Sequence, residues 1–214
     1  MTALTLHAHE IRRLLSHGSV LVVRPVKPQP HWNPPETIPG FWYWEVEPGK
    51  WYCYRDDEIA EIHEYCPLGA PGERRWVRET WRRSLPSMPN GLEYQADGLL
   101  RWFDGSDTVA EYESVTIHRD GRWRSPATMP RWASRCDVTV RDVRVVRVDD
   151  VGNDMSVEAG HMTTWEEQGW AITGRGNFIG WWNARHGKQY PYADRPWAWA
   201  VTVKRTPDSP AKEE

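Results

Sequence analysis

The sequence predicts an α+β fold: a small β-barrel with flanking helices and an inserted β-hairpin region. Three stretches carry that expectation. Residues 66–82 read as a Pro71-Gly72 turn feeding a strand, because proline presets φ and glycine accepts positive φ. In that strand Trp76, Arg78 and Thr80 alternate with Val77, Glu79 and Trp81, so both faces carry charge, as at the mouth of a small barrel. Residues 136–148 give the longest strand signal. Val138 and Val140 share one face, Val143 and Val145 the other, and Val146 and Val148 return to the first; a β-bulge or a strand bending round a barrel is expected. Residues 177–186 form an amphipathic helix, with Phe178, Trp181, Trp182 and Arg185 at three- and four-residue spacing and both indoles in the core.

The remaining elements follow in order. Residues 7–17 read as a helix, with Ile11, Leu14 and Leu15 on one face and Gly18 as its stop. Leu21, Val22 and Val23 form a strand ending at Arg24-Pro25. Residues 25–39 contain six prolines and read as an extended surface segment carrying Lys27, His31 and Trp32. Residues 42–47 and 50–55 flank Pro48-Gly49 and predict a hairpin; 56–65 is an acidic loop. Residues 92–96 and 99–103 flank Asp97-Gly98 as a second hairpin, 104–114 is an acidic loop, and 115–118 with Trp123 flank Asp120-Gly121 as a third. The region of about 83–130 therefore reads as an insertion on a core. Asn153 or Asp154 caps a short helix carrying Glu158. Residues 160–176 are glycine-rich and read as mobile. Gly187 ends the long helix and leaves Lys188 and Tyr190 on an exposed loop. Residues 197–203 read as a closing strand with one buried face. A single domain is expected over 1–206, with 207–214 a disordered tail.

Composition narrows the function. The formal net charge of −3 over 214 residues excludes a molecule that is basic throughout, but not a local basic patch. Fifteen Trp against three Phe exceed the needs of a core and leave indoles for stacking on a planar ligand. Cys53, Cys66 and Cys136 are odd in number and scattered, which argues against a disulfide framework and for a reducing compartment. His63 and Cys66 make half a metal motif with no convincing fourth ligand, so no metal is expected. The start lacks a signal pattern and no apolar run spans a bilayer. These points predict a cytoplasmic protein with no membrane partner. No phosphate-cradling loop, dinucleotide fingerprint or nucleophile elbow occurs, and no cofactor is expected. The Arg, Lys, Glu and Trp around the predicted turns suit an anionic, planar ligand: phosphate on a cation, a base stacked on an aromatic ring, an exocyclic amine on a carboxylate.

Several motifs in order resemble a known family. The run from Ile11 to Pro30, with Arg24-Pro-Val-Lys-Pro-Gln-Pro30, is similar to the opening of ASCH-domain proteins of the PUA-like superfamily, closest to the phage and prophage-encoded branch. The resemblance continues through Cys66-Pro-x-Gly-x-Pro-Gly-Glu73, Trp76-Val-Arg-Glu-Thr80, Met129-Pro-Arg-Trp-Ala-Ser-Arg135, Val157-Glu-Ala159, Gly187-Lys-Gln-Tyr-Pro191 and Arg195-Pro-Trp197. It implies a small PUA-like barrel whose cleft against the helices holds a nucleobase or RNA segment. Some relatives of that kind are amidohydrolases on N4-acetylcytidine, and others ribonucleases. The family signature Gly-x-Lys-x-x-(Glu/Thr)-x-Arg falls on His17, Ser19, Val22 and Arg24, and only the arginine matches. Glu158 stands where the family has its glutamate, but the deacylase Lys and Thr are Ser19 and Val22. Valine cannot donate, accept or attack, and Ser19 has no obvious base beside it.

The expectation is therefore a nucleic-acid or nucleobase-binding module, RNA more than DNA, rather than an enzyme. Its candidate contacts are Ser19, Arg24, Lys27, Arg78, Glu79, Glu158, Lys188 and Tyr190. Two alternatives stand beside it. One is a hydrolase on RNA or a modified nucleoside with Glu158 as catalytic carboxylate; the other is a phage protein-interaction factor using residues 83–130. Arg24 has a competing role as a salt-bridge partner of Glu79 or Glu158. The discriminating observation is whether Arg24, Glu79, Glu158 and Lys188 converge on one open cleft.

Overall fold

The computed structural model describes residues 1–27, 29, 66–83, 91–98, 122–165, 167 and 171–206, together with the backbone of strands at 42–47, 50–55, 58–61, 100–103 and 109–111. The chain begins with β1 (Ala3–Thr5), α1 (Ala8–His17) and β2 (Ser19–Pro25). Three strands follow, β3 (Trp42–Glu47), β4 (Lys50–Arg55) and β5 (Glu58–Glu61), then β6 (Arg74–Arg78), β7 (Trp81–Arg83), β8 (Gly91–Tyr94), β9 (Leu100–Phe103) and β10 (Val109–Glu111). The C-terminal part holds β11 (Asp137–Arg147), α2 (Asn153–Glu158), β12 (Thr164–Trp165), β13 (Ala171–Ile172), α3 (Gly174–His186) and β14 (Trp197–Arg205). The architecture is α+β. A five-stranded sheet runs β1-β6-β11-β14-β2, a four-stranded sheet β10-β9-β8-β7, a three-stranded sheet β3-β4-β5, and β12 pairs with β13.

The five-stranded sheet organises the molecule because both its faces are apolar. On β2, Val20 and Val22 point to one side and Leu21 and Val23 to the other, the period of two that a strand imposes. The first face packs against Ile11 and Leu14 of α1; the second packs against Phe178 and Trp182 of α3. The closing strand β14 follows the same rule, which corrects the expectation of one buried face. Trp199, Val201 and Val203 fill the first core, while Ala198 and Ala200 are equally buried in the second. Alanine is small enough there to let the Trp182 ring approach the sheet.

In β11 the ladder with β14 shifts register between Val140 and Asp142. That bulge inserts one residue, so Val143 and Val145 return to the face of Val138 and Val140 instead of opposing it. Val146 and Val148 then face α3. The predicted faces of this strand are corrected accordingly.

Helix α1 ends at Gly18, whose φ of 74° is left-handed and whose amide bonds the Leu14 carbonyl at 2.9 Å. The caps of α2 differ from expectation. Gly152 precedes the helix, and the Asn153 side chain instead accepts the Arg175 amide at 3.3 Å. Helix α3 starts earlier than predicted, at Gly174, because the Thr173 hydroxyl accepts the Gly176 amide.

Three stretches read as loops contain strands. β5 and β10 lie at sheet edges, where glutamates in a strand cost little and discourage edge-to-edge pairing. The glycine-rich 160–176 stretch holds the β12–β13 pair. The strand expected to run through 76–81 breaks at Glu79: its amide meets the Met129 sulfur at 3.4 Å rather than a ladder carbonyl, and β7 joins a different sheet. The hairpins around Pro48-Gly49 and Asp97-Gly98 form as expected. The third predicted hairpin around 120–121, the proline-rich 30–41 and the tail 207–214 lie outside the described residues. Among those described, no helix is long and apolar enough to cross a membrane.

Candidate functional site

Arg24 lies near the end of β2, and its partner is neither Glu79 nor Glu158 but Glu10. Its two terminal nitrogens donate to the two Glu10 oxygens at 2.7 and 2.8 Å, a fork-on-fork pair. Glu10 sits at the third position of α1, and its side chain also accepts the His7 amide at 2.7 Å, which caps the helix. Arg24 further donates to the carbonyls of Val23 at 2.9 Å and Thr5 at 3.4 Å, so its side chain spans from one edge strand of the sheet to the other. Burial alone would raise the Glu10 carboxyl, but the Arg24 guanidinium brings it down to about 2.

Around this pair stands a ring cluster centred on Trp181. The rings of His7, His9, His161 and His186 lie 5.6, 5.1, 5.2 and 5.6 Å from the indole, and the Arg24 guanidinium lies 5.9 Å from it. Trp181 is therefore half-buried and in contact with polar rings, whereas Trp182 is fully buried core, its indole N–H donating to the Tyr190 carbonyl at 2.8 Å. Gly160 brings His161 in: its φ is 88°, and a Cβ there would meet the His9 carbonyl oxygen at 2.5 Å.

Burial lowers His7, His9, His161 and His186 each to about 4; the Glu10 carboxylate opposes this at His7, His9 and His161, while neighbouring histidines add to it at all four and nearby arginines at all but His161. The Nε2 atoms of His9, His161 and His186 are buried without a hydrogen-bond partner among the described residues. The folded chain thus holds four neutral histidines that the unfolded chain protonates from pH 6.5 downward. Their contribution is complete above 6.5 and is lost as pH falls toward 4, each ring that stays neutral adding to the slope. Calorimetric melting from pH 8 down to 4 should show this fall, and His161→Leu should flatten it. A melting temperature constant between pH 6.5 and 4 would refute the neutral cluster.

Next to the cluster, the end of α3 and the loop after it meet the end of β2 in an open cavity of about 400 Å³. Its lining is Lys27, Arg185, His186, Lys188, Gln189 and Tyr190. The Lys27 ammonium lies 5.5 Å from the centre of the Tyr190 ring. Three cations and two rings face this space with no carboxylate among them. Lys27, Arg185 and Lys188 form no ion pair with a described residue.

Of the predicted contacts, Lys27, Lys188 and Tyr190 come together here, with Arg24 linked to them through Trp181 and His186. Ser19 does not join them. It lies at the opposite end of β2 from Arg24, across from Lys204, and Val22 is buried core. Glu158 is the exposed last residue of α2 and makes no ion pair with a described residue. Arg78 stacks on Trp76, with 5.7 Å from guanidinium to ring. Glu79 is buried, and both its oxygens are taken by Arg135 at 2.7 and 2.8 Å. The four residues expected to mark one cleft therefore do not converge.

The sequence reading passed over Glu10, His7, His9, His161, Trp181, Arg185 and His186. A signal was present for some: a glutamate three residues after the helix boundary at His7 fits a capping box, and a buried capping carboxylate needs a cation. Among the described residues no group of three or more His, Cys, Asp or Glu is arranged to hold a metal ion, and Cys66 and Cys136 are buried free thiols. Comparison with protein-family models, curated proteins and solved structures finds no match to this chain.

Proposed function

We propose that this chain is a nucleic-acid-binding module of the ASCH, PUA-like kind, and that the cavity between α3 and β2 holds one nucleotide of a single strand. The observation that carries the reading is the cavity lining. Lys27, Arg185 and Lys188 supply three cations, with no ion pair to a described residue, beside the Tyr190 and His186 rings, the combination that phosphate plus a stacked base requires. The motif resemblance supports the same class and implies a small barrel; the Arg24 side chain, on edge strand β2, reaches the Thr5 carbonyl of the other edge strand, β1. RNA is favoured over DNA on that resemblance alone. Deacylation is not part of the proposal, because Ser19 and Val22 replace the groups it uses and lie apart from the cavity.

The test is fluorescence anisotropy with a labelled single-stranded oligoribonucleotide over a range of salt. Tight binding that weakens with salt is expected. Lys27→Glu with Lys188→Glu should lower affinity by on the order of tenfold or more and reduce the salt slope by about 1.4, at about 0.7 per lost phosphate contact on a single strand. Glu158→Ala should leave affinity unchanged. If the protein binds neither oligonucleotides nor mononucleotides, the proposal falls. Product release from N4-acylated cytidine or RNA that is lost in Glu158→Ala would replace it with a hydrolase.

A further inference from the structure

A second surface, remote in sequence from the cavity, has a composition that the cavity does not explain. Residues 74–83 and 122–137 carry nine arginines against two carboxylates, net +7 in a chain of net −3. The rest of the chain is therefore strongly acidic, and the positive charge is a property of this surface, not of the molecule. Part of it is neutralised within the fold. Arg135 pairs with Glu79 and Asp97, Arg82 with Glu93, Arg75 with Glu73, and Arg74 and Arg131 share Asp137. Arg78, Arg83, Arg122 and Arg124 form no ion pair with a described residue.

Indoles are interleaved with these arginines. The Trp76 ring has the guanidinium of Arg78 at 5.7 Å and that of Arg131 at 5.8 Å. Arg82 stands 4.2 Å from the Trp123 ring, and Arg124 5.2 Å from Trp81. Trp76 and Trp81 belong to one small core with Leu92, Tyr94, Met129 and Ala133, which ties these stacks to the same support. Trp123 and Trp132 remain 38% and 54% exposed, a cost that a core would not accept and that a stacking surface uses. The backbone of Arg124 pairs with Trp81 on β7, so the Arg122-Trp123-Arg124 run is held against a sheet edge.

We propose that this surface is a second nucleic-acid contact: Arg78, Arg122 and Arg124 engage successive phosphates of a single strand while Trp123 and Trp132 stack on its bases. Guanidinium forks match phosphate geometry, and indole faces accept any base, so the surface binds single strands without reading sequence. It lengthens the footprint beyond the single nucleotide of the cavity, and it stands whether or not the cavity reading holds.

Two nucleic-acid probes and two pairs of variants separate the readings. The probes are uridine monophosphate, which fits the cavity alone, and a labelled oligouridylate long enough to span both surfaces. Arg122→Glu with Arg124→Glu should reduce the salt slope for the oligomer by about 1.4. Trp123→Ala with Trp132→Ala should weaken oligomer binding by about fivefold or more for each lost stack. All four residues are exposed, so these changes preserve the fold. Neither pair should alter binding of the mononucleotide. If both pairs bind the oligomer as wild type does, the proposal is overturned. If wild type binds the oligomer through these residues but not the mononucleotide, this surface stands and the cavity reading fails. If a labelled oligoglutamate binds here and the oligouridylate does not, the surface serves an acidic polypeptide and the proposal is overturned.

Discussion

Arg135→Met is expected to lower the stability of the protein by about 3–5 kcal/mol, the cost of breaking a buried ion pair from one side. Arg135 directly precedes Cys136, just before β11 begins. Its Nε and one terminal nitrogen hold Glu79 at 2.7 and 2.8 Å, and the other terminal nitrogen donates to Asp97 at 2.5 Å. The guanidinium also lies 4.4 Å from the Tyr94 ring. Burial would lower the basicity of Arg135, but its two carboxylates raise it, so it is charged at every working pH. Arg135 and Glu79 side chains are 1% and 2% exposed, whereas Asp97 is 29% exposed. Water can take over Asp97, so Asp97→Asn should cost about 1 kcal/mol or less. Water cannot reach Glu79. In Arg135→Met that buried carboxylate loses the guanidinium that holds both its oxygens, and binding a proton relieves the cost of keeping it charged. The variant should therefore lose less stability than wild type as pH falls, because protonation of Glu79 offsets part of the histidine-dependent loss, which persists. Urea unfolding of both proteins at neutral and mildly acidic pH measures this. A loss below about 1 kcal/mol would mean that the pair is not the joint between the two sheets that its geometry indicates.

This joint illustrates what the sequence conveys and what it withholds. The helices over 8–17 and 174–186 and the strands β2, β11 and β14 are visible because their periodicity is set locally, by apolar residues at helical or alternating spacing. The bulge in β11 is also visible, but its position is not. Valines at 138, 140, 143 and 145 are compatible with several registers, and only the pairing with β14 selects one. Charged residues are harder to place. Glu79 and Arg78 are neighbours in one predicted strand, yet one is buried on Arg135 and the other stacks on Trp76. Nothing local distinguishes them; the partner of each is brought by another part of the chain. The cavity shows the same asymmetry. Lys27, Lys188 and Tyr190 are legible as cations and an aromatic ring on exposed segments. Arg185 and His186 read as the end of a core helix, and the four histidines around Trp181 come from α1, the segment after α2, and α3.

Glu10→Met is the second large effect expected, and its double variant with Arg24→Met decides what Arg24 is for. Glu10 is 1% exposed and Arg24 15% exposed in this pair. Removing the carboxylate leaves a partly buried guanidinium bonded only to the Val23 and Thr5 carbonyls and uncaps α1 at His7. The expected loss is about 3–5 kcal/mol for the orphaned charge. Glu10→Met with Arg24→Met removes both charges and fills the space with apolar side chains of similar length, so it should be markedly more stable than Glu10→Met alone. The pH profile supplies an independent check. With its carboxyl at about 2 instead of 4.5, Glu10 contributes stability above pH 4.5 that disappears as pH falls toward 2. Both variants should lack that loss, whereas the histidine-dependent fall between pH 6.5 and 4 should persist. Binding then separates structure from contact. If Arg24 serves only to hold α1 against the sheet, the double variant keeps wild-type affinity for the single strand, because Lys27, Arg185 and Lys188 still line the cavity. If Arg24 touches the ligand, the double variant loses affinity and its salt slope falls by about 0.7, the share of one phosphate contact. The bidentate geometry favours the first outcome: both terminal nitrogens of Arg24 are engaged, by Glu10 and by the Val23 and Thr5 carbonyls, and Arg24 is not among the residues that line the cavity.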